Sequence, residues 1–398
     1  MEKIRSFFKS DGFKSFLSSV FSVLIGILIG FLVMLFISCF MSDSDAFSGI
    51  EKIISGPFAA KTKNNRLYNF GNMIFYTVPL IFTGLSVGIA YKTGLFNIGA
   101  PGQYLMGIVG SLIVGLYLKP TTEFGHIACW LLAVLAGIIC GALWGIIPGL
   151  LKAFFNINEV IICIMTNWIA ANATTLIFSY TKEIQNNTAN HGGFLIKVTD
   201  CATPSLGLGE LFNGSMIDIG IFIAIGVAIF LAIVMNRTTF GYQLKACGSN
   251  KNASKYAGLN EKRNIVISMA IAGALAGLGA ALYYLNPKIP YKFTSQYSQL
   301  PPYGFNGIAS AFLANCSPIG IILSSLLIRY LNAGGEFLTS CGFNRYVADI
   351  IISVIIYLAA FSRIFKELLS KVFNRKERSG SNFLKLITLP RKRKEQEK

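Results

Sequence analysis

The chain has few charged side chains. Asp, Glu, Lys and Arg make up 13% of its 398 residues, about half of the charged fraction usual in soluble domains. It also has only two histidines, His126 and His191, and it has no CxxC pair and no phosphate-binding P-loop. The sequence therefore has no ATP site of the P-loop kind, no ligand set for a metal and no nucleophile–base set for catalysis. We expect a protein that is not an enzyme and that binds no cofactor itself.

The chain is rich instead in long apolar runs, with 53% hydrophobic residues and a mean hydropathy of +0.58. Too few polar side chains remain to cover a soluble fold of this length. The runs lie near the roughly 20 residues that a helix needs to cross a bilayer, and they are apolar on all sides, unlike barrel strands. We predict an all-α polytopic membrane protein with about ten transmembrane helices, some broken or re-entrant. The predicted segments are 16–40, 69–91, 94–118, 126–151, 158–180, 215–235, 264–285, 302–316, 317–336 and 346–366.

Two of these features bear on the path through the membrane. The eighth segment is short and follows Pro301-Pro302, which favours a half-helix or a re-entrant piece. Arg329 is the one charge clearly inside a predicted segment. Because proton- and ion-driven carriers usually contain several such buried charges, their scarcity favours energy supplied by another subunit.

The basic residues predict the orientation. If both termini are cytoplasmic, 24 of the 35 Lys and Arg residues fall on the inside and 10 on the outside, as the positive-inside rule requires. Since these residues flank apolar segments and form a tail, they indicate contact with lipid and not with nucleic acid. Cys201 and Cys341 both fall in predicted outside loops, where a disulfide is compatible with the sequence but not implied by it. The predicted regions are an N-terminal cytoplasmic flank 1–15, a transmembrane domain 16–366 with an extracellular loop 181–214 and a cytoplasmic loop 236–263, and a basic cytoplasmic tail 367–398.

A glycine-rich stretch from Thr93 to Gln103 interrupts the apolar pattern. Irregular backbone at membrane depth must line a cavity or lie buried in protein. Phe96 is suited to stacking on a flat ring, and Asn97 and Gln103 to hydrogen bonding a base or hydroxyls. The alternative is a tight turn in which Gln103 joins two helices. A short echo, which includes Phe305 and Asn306, occurs in the segment 303–308, and such pairs of interrupted segments point to binding sites in transporters.

The inside loop contains a short predicted helix. Ser249 or Asn250 is suited to capping its start, and Gly258 to ending it in the left-handed conformation. Ala253, Tyr256 and Ala257 then share one face, which fits a groove on a partner protein. Periodicity alone favours this interpretation no more than an ordinary interfacial helix.

Five stretches of the chain, in one order, carry a family resemblance: Pro79–Leu85 running into Gly94–Ala100, Glu159–Ile161 with Met165 and Asn167, Gly248–Leu259, Gly304–Ala309 followed by Asn315 and Pro318–Gly320, and Ala348–Ile350. Together they resemble the membrane permeases of bacterial ATP-binding-cassette importers of the simple-sugar and nucleoside type, and the nucleoside-uptake branch most of all. One departure is Pro101, where that branch often has a glutamate.

The resemblance implies a division of labour in a bacterial plasma membrane. Two permease subunits, identical or different, would form the path for a nucleoside or a sugar-containing solute, and cytoplasmic ATPases would bind ATP and Mg²⁺. An extracellular substrate-binding lipoprotein would deliver the solute. A carrier or channel that works alone is the alternative. The implied path residues are Phe96, Asn97, Gln103, Asn167, Phe305 and Asn306, and the implied ATPase-coupling residues are Gly248, Asn250, Ala253, Tyr256 and Gly258.

Overall fold

The structure is a computed structural model that describes residues 11–40, 44–181, 194–196, 200–293 and 299–344, and six further positions between 346 and 357. Its elements are helical apart from two three-residue strands, which pair antiparallel with Leu195 opposite Lys292. The helices are α1 Asp11–Ser38, α2 Ala46–Ser55, α3 Lys63–Lys92, α4 Ala100–Tyr117, α5 Glu123–Phe155, α6 Glu159–Ser179, α7 Leu208–Leu211, α8 Gly220–Arg237, α9 Thr239–Ser249, α10 Lys251–Tyr256, α11 Glu261–Tyr284, α12 Pro302–Leu313 and α13 Pro318–Gly335, with strands β1 Phe194–Ile196 and β2 Tyr291–Phe293 and 3₁₀ turns at Gly56–Ala59 and Leu338–Cys341.

The membrane-spanning character of the chain is confirmed, but the count of about ten spans is not. In the described residues, six helices are long and apolar enough to cross a bilayer: α3, α4, α5, α6, α8 and α11. The helices α12 and α13 pass the same test only as a pair, bent by 120°, so the predicted short eighth segment is one arm of a broken or re-entrant element. The predicted first segment is the helix α1, and most of the tenth, 346–366, lies outside the described residues.

The helix α3 forms the centre of the fold. Every side chain from Thr77 to Ala90 is buried, chiefly beneath α11, α12, α13 and α8. A helix that is apolar on all sides lies in the interior of a bundle and not at its surface. These four helices are therefore arranged around α3.

The helices α5 and α11 pack backbone to backbone. Gly137, Gly141 and Gly145 follow one another at intervals of four on α5 and face Gly273 and Gly277 of α11. A β-carbon at Gly141 would collide with the carbonyl oxygen of Gly273. Small residues at this spacing let helices approach closely where lipid supplies no hydrophobic driving force.

The bend between α12 and α13 has its own local chemistry. Asn315 and Cys316 both adopt positive φ, at 51° and 53°, a conformation that costs L-residues free energy. Ser310 of α12 stabilises the return of the chain, because its hydroxyl lies 2.8 Å from that of Ser324 and 2.7 Å from that of Ser325 on α13. The serines also satisfy one another in an otherwise apolar contact.

A disulfide ties the segment that precedes α7 to the first part of α5. Cys129 bonds Cys201, with Cα atoms 5.2 Å apart, and Cys341 is a free, buried thiol. Of the two partners, Cys201 therefore pairs with Cys129, the seventh residue of α5, and not with Cys341, a pairing that the sequence had allowed without implying it. The indole N–H of Trp130 donates to Thr203 Oγ1 at 3.1 Å and fastens the same loop.

Candidate functional site

The site begins at the irregular stretch between α3 and α4. The chain turns at Gly94 with φ +78°, and helix resumes only at Ala100. The helix in the predicted segment 94–118 therefore begins six residues later than predicted. Asn97 and Gln103 are fully buried and their amides pair: Asn97 Nδ2 donates to Gln103 Oε1 at 2.9 Å, and Gln103 Nε2 donates to Asn97 Oδ1 at 3.2 Å. Paired amides satisfy each other in an apolar interior, so this stretch is a rigid turn.

Asn167 of α6 holds that turn from the other side. Its Oδ1 accepts from the backbone N–H of Gly102 at 2.8 Å, and its Nδ2 donates to the carbonyl of Ile98 at 3.0 Å. One side chain therefore bonds to both ends of the turn. Gly102 permits this contact, because a β-carbon there would lie 2.8 Å from Asn167 Oδ1.

The start of α12 rests on α4 and α3. A β-carbon at Gly304 would lie 2.5 Å from both the Cα and the nitrogen of Pro101, so the two backbones are in contact. Gly307 approaches Thr83 of α3 in the same way. Pro101, the second residue of α4 and the departure from the resembling family, therefore packs directly against the start of α12.

A cavity of about 440 Å³ opens between these elements, within the roughly 300–1,000 Å³ of typical small-molecule sites. It is lined by Ile98, Ile164, Asn167, Trp168, Gln299, Leu300, Pro302, Phe305 and Asn306. It lies at the N-terminus of α12, where the positive end of the helix dipole favours hydrogen-bond acceptors.

The cavity brings together three of the six predicted path residues: Asn167, Phe305 and Asn306. Asn97 and Gln103 stand behind its wall, one layer from the space, and the ring of Phe96 packs against Phe312 with centroids 5.8 Å apart. Sequence reasoning missed the other six wall residues, which are Ile98, Ile164, Trp168, Gln299, Leu300 and Pro302. Ile98 and Trp168 are each next to a residue that it did select, so the turn was located correctly but not the side chains that line the space.

Arg329, the charge predicted inside a segment, lies on α13 with its guanidinium 4.8 Å from the ring centroid of Tyr76. The rings of Tyr76, Tyr283 and Tyr303 pack together there, and the hydroxyls of Tyr283 and Tyr303 are 3.5 Å apart. A cation over an aromatic face is favourable, so packing against a ring accommodates the charge. Of the His, Cys, Asp and Glu side chains in the described ranges, no three are grouped for a metal ion.

The loop after α8 forms two short helices, α9 and α10, in the shape that its capping residues predict. Asn250 Oδ1 accepts from the N–H of Ala253 at 3.0 Å. Gly258 has φ +76°, its N–H donates to Lys255 O, and the N–H of Leu259 donates to Ser254 O. This pair of hydrogen bonds is a Schellman ending, so α10 is a short helix whose two ends are both capped.

The outer face of α10 is bare. Tyr256 is 93% exposed, and Ala253 and Ala257 beside it are also exposed. A large aromatic ring with so little contact contributes almost nothing to the stability of this chain, since burial is what makes apolar area stabilising. The face has the small-plus-aromatic composition that a partner groove accepts.

Gly248 connects this loop to the turn of the site. A β-carbon at Gly248 would collide with the carbonyl oxygen of Lys92 and lie 2.9 Å from the nitrogen of Gly94. The end of α9 therefore touches the backbone of the turn directly. Gly248, Asn250, Ala253, Tyr256 and Gly258 lie together on one side of the molecule, and the cavity lies beyond the turn.

Comparison with known proteins covers most of the chain. A model of the protein family described as "Branched-chain amino acid transport system / permease component" matches residues 69–360. The nucleoside ABC transporter permease protein NupB of Lactococcus lactis subsp. cremoris is 36% identical over 295 residues, which is 74% of this chain and 79% of the relative. The guanosine ABC transporter permease protein NupP of Bacillus subtilis is 33% identical over 318 residues, or 79% of this chain and 86% of the relative. The glucose ABC transporter permease protein TsgB13 of Haloferax volcanii is 27% identical over 306 residues, or 75% and 78%.

Proposed function

The chain belongs to the branched-chain amino acid transport system / permease component family, and from that membership we propose that it forms the translocation path of an ATP-binding-cassette importer for nucleosides. It is a multi-pass integral membrane protein and a transport subunit, not an enzyme. Two relatives that are at least 33% identical carry the names nucleoside and guanosine permease, and these names support the solute class.

The observation that carries the proposal is the composition of the cavity wall. Phe305 and Trp168 keep 41% and 43% of their surface exposed, so both rings are free to stack on a base. Asn306 supplies an amide that the turn does not use, and the positive end of the α12 dipole favours hydroxyl oxygens or ring nitrogens as acceptors. A neutral solute with a flat ring and several acceptors matches this wall.

We propose that energy comes from ATPase subunits that bind ATP and Mg²⁺ and receive α10 in a groove. The bare ring of Tyr256, with Ala253 beside it, would enter that groove. Asn250 and Gly258 would keep the helix rigid, and Gly248 would pass the movement to the turn. Alternating exposure of the cavity would follow from rigid-body motion of the bundle.

We propose a bacterial plasma membrane with both termini and α10 on the cytoplasmic side. The disulfide supports this orientation, because Cys129 and Cys201 lie at the opposite end of α5 from Lys152, and disulfides persist in oxidising compartments. A second permease subunit, identical or related, and an extracellular substrate-binding lipoprotein would complete the importer.

The test is uptake of labelled nucleosides by cells that express the complete system. We expect uptake to vanish when the ATPase subunits are deleted and to persist when the proton gradient is collapsed. Tyr256→Asp is expected to abolish uptake while leaving the protein inserted, since a charge cannot enter an apolar groove. Uptake that persists without the ATPases would identify a carrier that works alone.

The solute class is tested at the cavity. Asn306→Ala is expected to lower nucleoside uptake or change the order of preference among nucleosides, because it removes the amide that faces the space. Unchanged uptake together with an unchanged order of preference in the variant would remove Asn306 from the binding site.

A further inference from the structure

A second, smaller cavity lies where α3, α8, α9 and α13 come together at the end of the bundle that carries Gly248. Its volume is about 130 Å³, well below the roughly 300–1,000 Å³ of pockets that enclose a drug-sized molecule. It shares no wall residue with the larger cavity. It is large enough for a small polar group and too small for a nucleoside.

The mouth of this cavity is basic and polar. Lys92 ends α3 and Lys245 lies in α9, with Asn236 and Ser317 beside them. Lys245 Nζ donates to Asn236 Oδ1 at 2.8 Å, and Lys92 Nζ donates to the carbonyl of Asn315 at 3.5 Å. Among the described residues, the partners of both ammonium groups are neutral oxygens and not carboxylates. Two cations that converge without a counter-ion attract an anion.

The inner wall of the cavity is apolar. It consists chiefly of Leu85 and Ile89 of α3, Met235 of α8 and Ile321 of α13. These helices continue into the part of the bundle that faces lipid, where Ile229 and Ile233 of α8 are exposed. A free inorganic anion would leave these apolar side chains in contact with water, which is unfavourable. An amphiphile places its charged group at the lysines and its chains along the apolar helices.

We propose that this cavity binds the phosphate of an anionic phospholipid, with the headgroup between Lys92 and Lys245 and the acyl chains outside along α8 and α13. The last turns of α3 and α8 contain Lys92 and Arg237, so the mouth lies at the depth where a helix passes from hydrocarbon to headgroups. Basic pockets between helices at this depth are suited to anionic headgroups. The nucleoside of the proposed function carries no phosphate, so the two cavities take different chemistry.

The lipid would act on the contact between the coupling loop and the turn. Lys92 contributes its ammonium to the cavity and its carbonyl to the contact with Gly248. Lys245 lies on the same helix as Gly248, one turn earlier. A phosphate that bridges the two lysines would therefore hold α9 against the end of α3.

The test is native mass spectrometry of the full-length protein, extracted from bilayers of phosphatidylglycerol and phosphatidylcholine mixed in equal amounts. We expect phosphatidylglycerol to be retained preferentially. Each of the single variants Lys92→Gln and Lys245→Gln is expected to lower this retention about fivefold. That is the order of magnitude that one basic side chain contributes near an anionic surface. The double Lys→Arg variant keeps both charges and is expected to retain the lipid.

Lys255→Gln is the matched control, since it removes one cation from the neighbouring helix α10 but not from the cavity. An equal loss of lipid in this control would reduce the effect to general surface charge and overturn the proposal. So would wild-type retention in the double Lys→Gln variant. Displacement of the lipid by millimolar inorganic phosphate would assign the cavity to a free anion. The readout needs no transport, so a failure here leaves the proposed nucleoside path untouched.

Discussion

At the residue scale, the side-chain amide of Asn167 both holds the turn before α4 and lines the cavity. Its oxygen and nitrogen hold Gly102 and Ile98, and the same side chain reaches the cavity wall. In the proposed path, contact with the solute and the shape of the wall would therefore be coupled through this one side chain. A residue of this kind affects uptake through position as well as through contact.

Asn167→Ala is expected to lower both uptake and stability. The substitution leaves a buried N–H and a buried carbonyl without partners, which costs about 1–3 kcal/mol. The measurements are nucleoside uptake and the thermal unfolding midpoint in detergent. Asn172→Ala is the control, because its amide donates to Trp168 O within the same helix and is exposed. Equal effects of the two variants would contradict the role of Asn167 in holding Gly102 and Ile98.

Asp218, just before α8, makes the stability of the fold depend on pH. Burial raises the pKa of its carboxyl from 3.8 to about 6, while hydrogen bonds from Asn286 and from the Gly220 N–H oppose the rise. The folded protein therefore binds this proton more readily than the unfolded chain does. Stability is expected to fall as pH rises from about 4 to about 6 and then to level off.

The size of this effect is at most about 3 kcal/mol, the free energy that corresponds to the change in pKa. It is measured as the unfolding midpoint against pH, with wild type compared with Asp218→Asn. The variant does not titrate and is expected to lose the slope in that window. The same slope in both proteins would assign the pH dependence to other groups. Lys288 lies nearby but donates to the carbonyls of Gly214 and Ser215.

At the element scale, the short helix α10 shows what sequence predicts well. Its start, its end and its exposed face follow from Asn250, Gly258 and the spacing of Ala253 and Tyr256, because capping is decided by a few neighbouring residues. The end of α12 closes with the same bond pattern, because the N–H of Cys316 donates to Ala311 O at 2.7 Å and the N–H of Asn315 donates to Phe312 O at 2.9 Å. Asn315 takes the place that glycine usually has, so the sequence signal is weaker there, and the contacts of Ser310 with α13 stabilise the return of the chain.

The glycine contact between α5 and α11 was also missed, although the four-residue spacing of Gly137, Gly141 and Gly145 is visible in the sequence. Spacing alone does not name the partner helix. The close approach needs both faces, and Gly273 and Gly277 lie more than a hundred residues away. The partner therefore became evident only in the fold.

Gly141→Ala is expected to destabilise the protein by about 1–3 kcal/mol, since the added methyl collides with the Gly273 carbonyl and the helices must separate. The measurement is the thermal unfolding midpoint together with the amount of inserted protein. Gly226→Ala on α8 is the control. Its β-carbon would meet nothing within 4 Å, so it is expected to be neutral or slightly stabilising. A loss of similar size in both variants would rule out the packing explanation.

At the scale of the whole molecule, the sequence predicted the all-α membrane class, the short helix α10 and the irregular turn between α3 and α4. It did not predict that the end of α9 would contact this turn. Amide pairs such as Asn97 with Gln103 were assigned to the solute because polarity at membrane depth suggests function. The structure places both of them behind the wall, where they hold the turn. Which polar group faces a cavity depends on the direction of side chains, and spacing along one chain does not determine this.

The longest-range consequence is the contact of Gly248 with Lys92 and Gly94, which links α10 to the cavity through the turn that Asn167 holds. Gly248→Ala pushes the turn away from α9 without changing the face of Tyr256, so the ATPases are expected to dock normally while uptake per ATP hydrolysed falls several-fold. The measurement is the ratio of transport to hydrolysis in proteoliposomes that contain the complete importer. Ser249→Ala, one residue further along the same helix end, is exposed and is expected to leave the ratio unchanged. A normal ratio in Gly248→Ala would mean that movement reaches the cavity by another route, because the backbone of Lys92 and Gly94 would then have been displaced without effect.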